Sequence, residues 1–118
     1  MAQIVSIAST EILKTTRQLI LQNAGHDALS FSSVSDIQEL DGALKPELAV
    51  VCHGFRGTEK RKLALALNKA FPGIPILEMC MNSPEIPGAD FILSHSPEHL
   101  VTAVQDMLKG RRVRGYIG

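Results

Sequence analysis

This chain of 118 residues has few aromatic side chains, no long apolar run and no excess of either charge. Tryptophan is missing and aromatic residues make up 4% of the sequence, which argues against a nucleic-acid interface. No stretch approaches the roughly 20 apolar residues that a membrane-spanning helix needs. Twelve basic residues balance twelve acidic ones, so the overall charge favours neither an acidic nor a basic partner.

Cysteine is also scarce. Cys52 and Cys80 fall at the ends of predicted strands and do not form the spaced framework of a disulfide-rich secreted protein. The first eight residues carry no basic region, and their apolar run is too short for a secretory signal. These features together predict a reducing, cytoplasmic setting.

Short β-prone runs alternate with amphipathic helical patterns along the whole chain, which is long enough to bury a core. The predicted strands are 3–8, 28–32, 48–52, 75–81 and 91–94. Helices are predicted after the first, second, third and fifth strands, with N-caps at Ser9, Ser35, Thr58 and Ser96. Alternating strands and helices indicate βαβ units, so the sequence predicts a flavodoxin-like α/β fold with a doubly wound parallel sheet of five strands.

The stretch Pro46–Gly54 is the centre of this arrangement. Its apolar run from Leu48 to Val51 is typical of a strand buried on both faces of a parallel sheet. The run ends at Cys52, which would therefore lie at the carboxyl edge of the sheet. Open α/β sheets bind their ligands at that edge.

Five phrases of the sequence resemble, in order, the receiver domain of two-component response regulators. They are Asn23–Asp27, Lys45–Leu48, Phe71–Ile76, Gly88–Phe91 and Pro97–Leu100. The resemblance covers roughly residues 3–109. It predicts a receiver-like domain over 1–109, followed by a basic tail over 110–118, and it implies a signalling role.

The positions that would carry phosphotransfer in a receiver hold other residues here. The resemblance implies an acidic pair after the first strand, an aspartate acceptor, a Thr or Ser, and a Lys. Those positions correspond to Ala8, Ser9, Cys52, Cys80 and His95. Mg²⁺ requires hard oxygen ligands, which this set does not supply as carboxylates. We therefore predict no aspartyl phosphorylation, no metal or other cofactor, and no enzymatic activity.

The connection between the fourth and fifth strands departs from the receiver pattern as well. Pro84 and Pro87 oppose helix propagation, so the helix that the resemblance implies there is predicted to be shortened or missing. Its loss would leave an apolar patch that calls for a protein partner or a second copy in a homodimer. The predicted contact surface comprises Met79, Ile86, Phe91, Val101 and Val104. The sequence thus favours a stand-alone pseudo-receiver that acts by protein–protein interaction, with no membrane or nucleic-acid partner.

Two alternatives stay open. Cys52, Cys80 and His95 would meet at one edge of the sheet, either as filled-in core residues or as a metal, redox or small-ligand site. Two basic clusters would bind an anion or nucleic acid, or simply form solvated faces. They are Arg56, Lys60, Arg61 and Lys62, and then Lys109, Arg111, Arg112 and Arg114.

Glu78 is unusual because it is a charged residue inside the predicted fourth strand. The expectation is a strand-end charge that faces solvent. The alternative is burial against Lys62 or Arg61, which would be costly unless the charges were paired.

Overall fold

The computed structural model describes residues 2–39, 44–94 and 96–117, which form six strands and four helices. The strands are β1 (Gln3–Ile7), β2 (Asp27–Phe31), β3 (Leu48–Val51), β4 (Ile76–Met79), β5 (Asp90–Leu93) and β6 (Arg114–Ile117). They form one parallel sheet in the order β2-β1-β3-β4-β5-β6, with β3 near its centre. The predicted doubly wound parallel fold is confirmed.

The helices are α1 (Glu11–Asn23), α2 (Val34–Gln38), α3 (Gly57–Ala70) and α4 (Pro97–Leu108). Three of the predicted caps were wrong by one or two residues. Thr10 caps α1, Ser33 caps α2 and Arg56 precedes α3. Ser96 and Pro97 begin α4 as predicted, because proline suits the first helical position, where no N–H is needed. No described helix has the length and apolar character needed to cross a membrane.

Helices cover both faces of the sheet and divide the core in two. One half joins α1 and α4 to side chains such as Ile4, Val50 and Ile92. The other half joins α2 and α3 to the alternate side chains, such as Val5 and Val51. Because every strand of a parallel sheet turns alternate residues to opposite faces, both faces must be apolar at the centre, and β3 is buried throughout.

The connection from β4 to β5 contains no helix. Residues 80–89 are all described and run as turns and irregular backbone, so the predicted loss of this helix is confirmed. Ile86 from this connection joins the core on the α3 side. The connection therefore lies on the face of the sheet that a helix would otherwise cover.

A sixth strand was not predicted. Residues 114–117 lie in the segment expected to be a basic tail, and they pair in parallel with β5 beyond α4. Val113 is buried at the start of this strand, and its N–H donates to Asp90 Oδ2 at 2.9 Å. The predicted count of five strands was therefore one too few.

Candidate functional site

The carboxyl ends of β1, β3 and β4 bring together most of the positions that the sequence singled out. The N–H of Ala8 donates to Phe31, the N–H of Cys52 to Ile7, and the N–H of Cys80 to Ile92. These backbone bonds continue the sheet past the strand ends and hold Ala8, Cys52 and Cys80 side by side. Ser9 follows on the exposed side of the edge. His95 lies outside the described residues.

The side chains at this edge are small and buried. Ala8, Cys52 and Cys80 are inaccessible to solvent, and Ser9 alone among these four is exposed. Gly54 has a φ of 103°, and a Cβ there would lie 2.6 Å from Ser9 Oγ, so only glycine lets this loop approach the end of β1 so closely. The edge is thus a closed, packed surface at these positions.

Both cysteines are held as neutral thiols. Burial raises the pKa of Cys52, and the nearby Arg17 guanidinium and Ser6 hydroxyl oppose that rise only in part. Burial, with a smaller contribution from the Glu78 carboxylate, raises the pKa of Cys80 from 9.0 to about 12. Since the thiolate is the nucleophile and the metal ligand, neither cysteine is prepared for that chemistry at neutral pH.

Arg17 is a buried cation that the sequence reasoning missed. It lies on α1, is 4% exposed, and its Nε has no hydrogen-bond partner. None of the ion pairs found among the described residues includes Arg17. The available signal was its place in the apolar stripe Leu13, Arg17, Leu21, because residues four apart lie on one face of a helix.

Glu78 does not face solvent, so that expectation was wrong. Its side chain is 0% exposed, and Oε2 accepts a hydrogen bond from Lys60 Nζ at 2.8 Å. The backbone N–H groups of Glu85 and Ile86 donate to the same carboxylate at 2.9–3.0 Å. Lys60, itself 2% exposed, also donates to the Met79 carbonyl at 3.1 Å. The partner is Lys60 rather than Lys62 or Arg61.

This buried pair explains how the connection without a helix is held in place. A carboxylate accepts several hydrogen bonds, and here it serves both the Lys60 ammonium on α3 and two backbone donors of the connection. Charge-assisted bonds of this kind are about twice as strong as neutral ones. Glu78 therefore ties α3, β4 and residues 85–86 together on one face of the sheet.

The predicted contact surface is largely inside the protein. Met79, Ile86 and Val104 are buried in the core, and only Phe91 and Val101 keep partial exposure. The expectation of an apolar patch formed by these five residues was wrong in that respect. The physical reason is that Met79 and Val104 pack in the half of the core that α1 and α4 cover, whereas Ile86 fills space in the half next to α3.

An apolar groove of about 630 Å³ does remain next to that connection. We call it the α3 groove, and it lies between α3, the start of β4, residues 86–90 and the end of α4 with the residues that follow it. Its apolar walls include Ala64, Leu65, Ile74, Ile76, Pro87 and Ala89. Arg61, Arg111 and Arg112 also line it, with Asp90 as the acidic residue. Its volume lies in the range of ordinary ligand pockets.

The two basic clusters are weaker than the sequence suggested. Lys60 is withdrawn into the core, which leaves Arg56, Arg61 and Lys62 exposed on the first cluster. In the second cluster Arg111 pairs with Asp106 at 3.4 Å, and Arg112 pairs with Asp90 at 2.5 Å. Paired surface charges attract a polyanion less strongly than free ones do.

The comparisons with known proteins agree on the fold. The receiver protein of a response regulator from Sinorhizobium medicae is 20% identical, with a TM-score of 0.73 over 94% of this chain and 97% of that one. A LuxR-family response regulator from Aurantimonas is 20% identical, with a TM-score of 0.74 over 96% of this chain and 89% of that one. The chain has the receiver fold.

A third structure supports the same conclusion. The receiver domain of a histidine kinase from Syntrophus aciditrophicus is 15% identical, with a TM-score of 0.75 over 93% of this chain and 92% of that chain. No family model matches the sequence, and no curated protein matches it. At these identities the similarity shows the receiver fold alone, so the chemistry of the site has to be inferred from the residues that this chain carries.

The residues at the strand edge do not fit the Mg²⁺ that the receiver fold implies. A magnesium site in this place would need carboxylates after β1 and at the end of β3. Ala8 and Ser9 follow β1, and Cys52 follows β3, where its protonated thiol is a poor ligand for a hard cation. Among the described residues, no group of three or more His, Cys, Asp or Glu side chains is placed to share a metal ion.

Proposed function

We propose that this protein is a pseudo-receiver, a signalling module that works through contacts with another protein and is not switched by aspartyl phosphorylation. The observation that carries the proposal is the buried Cys52 at the end of β3, where a receiver would present its acceptor. The receiver fold supports a role in two-component signalling in the broad sense.

The chemistry of phosphoryl transfer explains why Cys52 is decisive. Transfer to an acceptor needs a nucleophile in line with the phosphorus and positive charge to stabilise the transferring oxygens. The raised pKa of Cys52 keeps it protonated, and Ala8 and Ser9 supply no carboxylate to hold a divalent cation beside it. Among the described residues of this edge, the acceptor position therefore offers no ionised nucleophile and β1 is followed by no carboxylate for a divalent cation.

The two alternatives receive less support. A metal or redox sensor would need a thiolate, whereas burial raises the pKa of both cysteines. A polyanion-binding module would need free cations, whereas Lys60 is buried and Arg111 and Arg112 are paired. A partner protein needs neither a reactive thiol nor a set of unpaired cations.

Intact-mass spectrometry after incubation with acetyl phosphate and Mg²⁺ tests the proposal. We expect the protein mass to stay unchanged while a phosphorylatable receiver treated in parallel gains one phosphoryl group. An acid-stable adduct at a serine would still be compatible with the proposal. A stoichiometric acyl phosphate, lost on treatment with hydroxylamine, would contradict it.

A further inference from the structure

Arg17 brings a positive charge into the core without an acidic partner. It lies on the same stripe of α1 as the buried Leu21 and is itself 4% exposed. Its Nε has no hydrogen-bond partner, and none of the ion pairs found among the described residues includes it. Arginine keeps its charge in proteins, and an unpaired charge is costly to bury. This position therefore favours the binding of an anion.

Two buried hydroxyls lie on the sheet below α1. Ser6 of β1 and Ser30 of β2 are opposite each other in the register of the two strands. Both share a face of the sheet with Ala28, which packs in the half of the core under α1. The Oγ atoms of Ser6 and Ser30 are closed to solvent and have no hydrogen-bond partner. The Arg17 guanidinium and the Ser6 hydroxyl both lie near the Cys52 thiol, so these groups converge.

The side chains around these two hydroxyls are small. Ala8 follows Ser6 on the same face at the end of β1, and Ala28 precedes Ser30 on the same face of β2. Alanine and serine fill less space than the isoleucines and leucines of the core, so the guanidinium of Arg17 has room to turn toward the sheet. Arg17 and Ser6 are both almost fully buried. A ligand between them must therefore be small.

The charge and the donors of this cluster define the chemistry of the ligand. The guanidinium supplies N–H donors, and each serine hydroxyl can turn its hydrogen toward the same acceptor. A water molecule would satisfy these donors but would leave the charge of Arg17 uncompensated. A metal cation would be repelled by that charge. A small anion with one negative charge satisfies the donors and balances the guanidinium, through bonds that are stronger than neutral ones.

We propose that Arg17, Ser6 and Ser30 form a buried binding site for a small monovalent inorganic anion, such as chloride, between α1 and the sheet. This inference goes beyond the proposed function and does not depend on it. The bound anion would stabilise the packing of α1 on β1 and β2, so the folded protein would respond to the concentration of the anion.

The test compares urea unfolding of the full chain in sodium chloride and in sodium gluconate at equal ionic strength, because gluconate is too large for an enclosed site. An anion that binds only the folded protein with a Kd of about 10 mM raises the folding equilibrium constant about 20-fold at about 0.2 M. We expect a gain of this size that saturates as chloride replaces gluconate. In crystals grown with sodium bromide, the anomalous difference map should show a peak beside the Arg17 guanidinium.

Three variants locate the site. Arg17→Met removes the charge and should abolish the gain from chloride. This variant should be more stable than the wild type in gluconate, and chloride should narrow that difference. Ser6→Ala removes one donor and should weaken the apparent Kd for chloride about fivefold. Arg61→Met is the matched control, because Arg61 is exposed on α3 at the other face of the sheet, and it should keep the full gain.

Three results would overturn the inference. An equal gain in Arg17→Met and the wild type would mean that chloride acts on the surface in general. No gain from chloride in the wild type would mean that the cluster holds water. A bromide peak beside Arg17 in a protein whose stability does not depend on chloride would mark an adventitious ion only. None of these results bears on phosphorylation or on a protein partner, so failure here and failure of the proposed function are separate outcomes.

Discussion

Replacing Lys60 with methionine should destabilise the protein far more than any change at a neighbouring surface lysine. Lys60 and Glu78 are both almost fully buried and lie 2.8 Å apart. Removing the ammonium leaves the carboxylate without its counter-charge and the Met79 carbonyl without its donor. Breaking a buried ion pair by removing one partner costs about 3–5 kcal/mol. The backbone donors of Glu85 and Ile86 remain, so the lower half of that range is expected.

The assay is urea unfolding followed by circular dichroism, with the free energy of unfolding taken from linear extrapolation. A domain of this size changes its Tm by about 4 °C per kcal/mol, so Lys60→Met should lower the Tm by roughly 12 °C or more. Lys62→Met is the matched control, because Lys62 is exposed on the same helix and should change stability by less than about 0.5 kcal/mol. The double variant Lys60→Met/Glu78→Met gives the coupling energy between the two residues, for which about 0.5–3 kcal/mol is expected. Equal stability of the two single lysine variants would refute the reasoning.

Three further predictions concern the core and the last strand. The pKa of the Cys80 thiol is 9.0 without the fold, and burial raises it to about 12 in the folded protein. The folded state therefore holds its proton more tightly, and the stability that Cys80 contributes should be complete below pH 9. Above pH 9 that contribution should fall by up to about 1.4 kcal/mol per pH unit. The difference in unfolding free energy between wild type and Cys80→Ala should show this fall, and a difference that is flat from pH 8 to about pH 11 would contradict it. Arg17→Met should raise the free energy of unfolding in urea by about 1–3 kcal/mol, because it removes a buried cation whose Nε has no hydrogen-bond partner. A lower free energy of unfolding would contradict this and would show that contacts of Arg17 stabilise the fold. Ending the chain after Gly110 should cost at least the roughly 1.5–3 kcal/mol of burying Val113, and unchanged stability would mean that β6 contributes nothing.

Most of the fold was predictable because strand and helix patterns alternate along the chain, with a break between the fourth and fifth strands. The sequence also indicated the missing helix, through Pro84 and Pro87. β6 was missed because Arg111, Arg112 and Arg114 made residues 110–118 look like a solvated tail. Val113 was the apolar signal just before it, and the contacts that hold Val113 in the core, such as the bond from its N–H to Asp90, come from residues distant in sequence.

The site was predicted less well because its charges are satisfied by contacts between elements. A lone glutamate in a strand is normally expected at the surface, and only the fold shows that Lys60 reaches it from α3. A signal for Lys60 did exist, since Lys60, Leu63 and Leu67 lie on one helical stripe. The burial of Ile86 depends on the path of residues 80–89, which no local pattern specifies, whereas Met79 and Val104 are buried on the other face of the sheet.

We propose that this receiver fold carries no phosphotransfer chemistry at its strand edge, and an NMR titration tests that proposal most directly. Amide spectra of the protein would be recorded with Mg²⁺ and then with added beryllofluoride, which mimics a phosphoryl group on an aspartate. We expect no saturable change at the amides of Ala8, Ser9, Cys52 and Cys80, because the described residues of this edge include no carboxylate placed to hold either species. Saturable shifts at those amides would show that the edge still binds a phosphoryl mimic, and the account would be wrong.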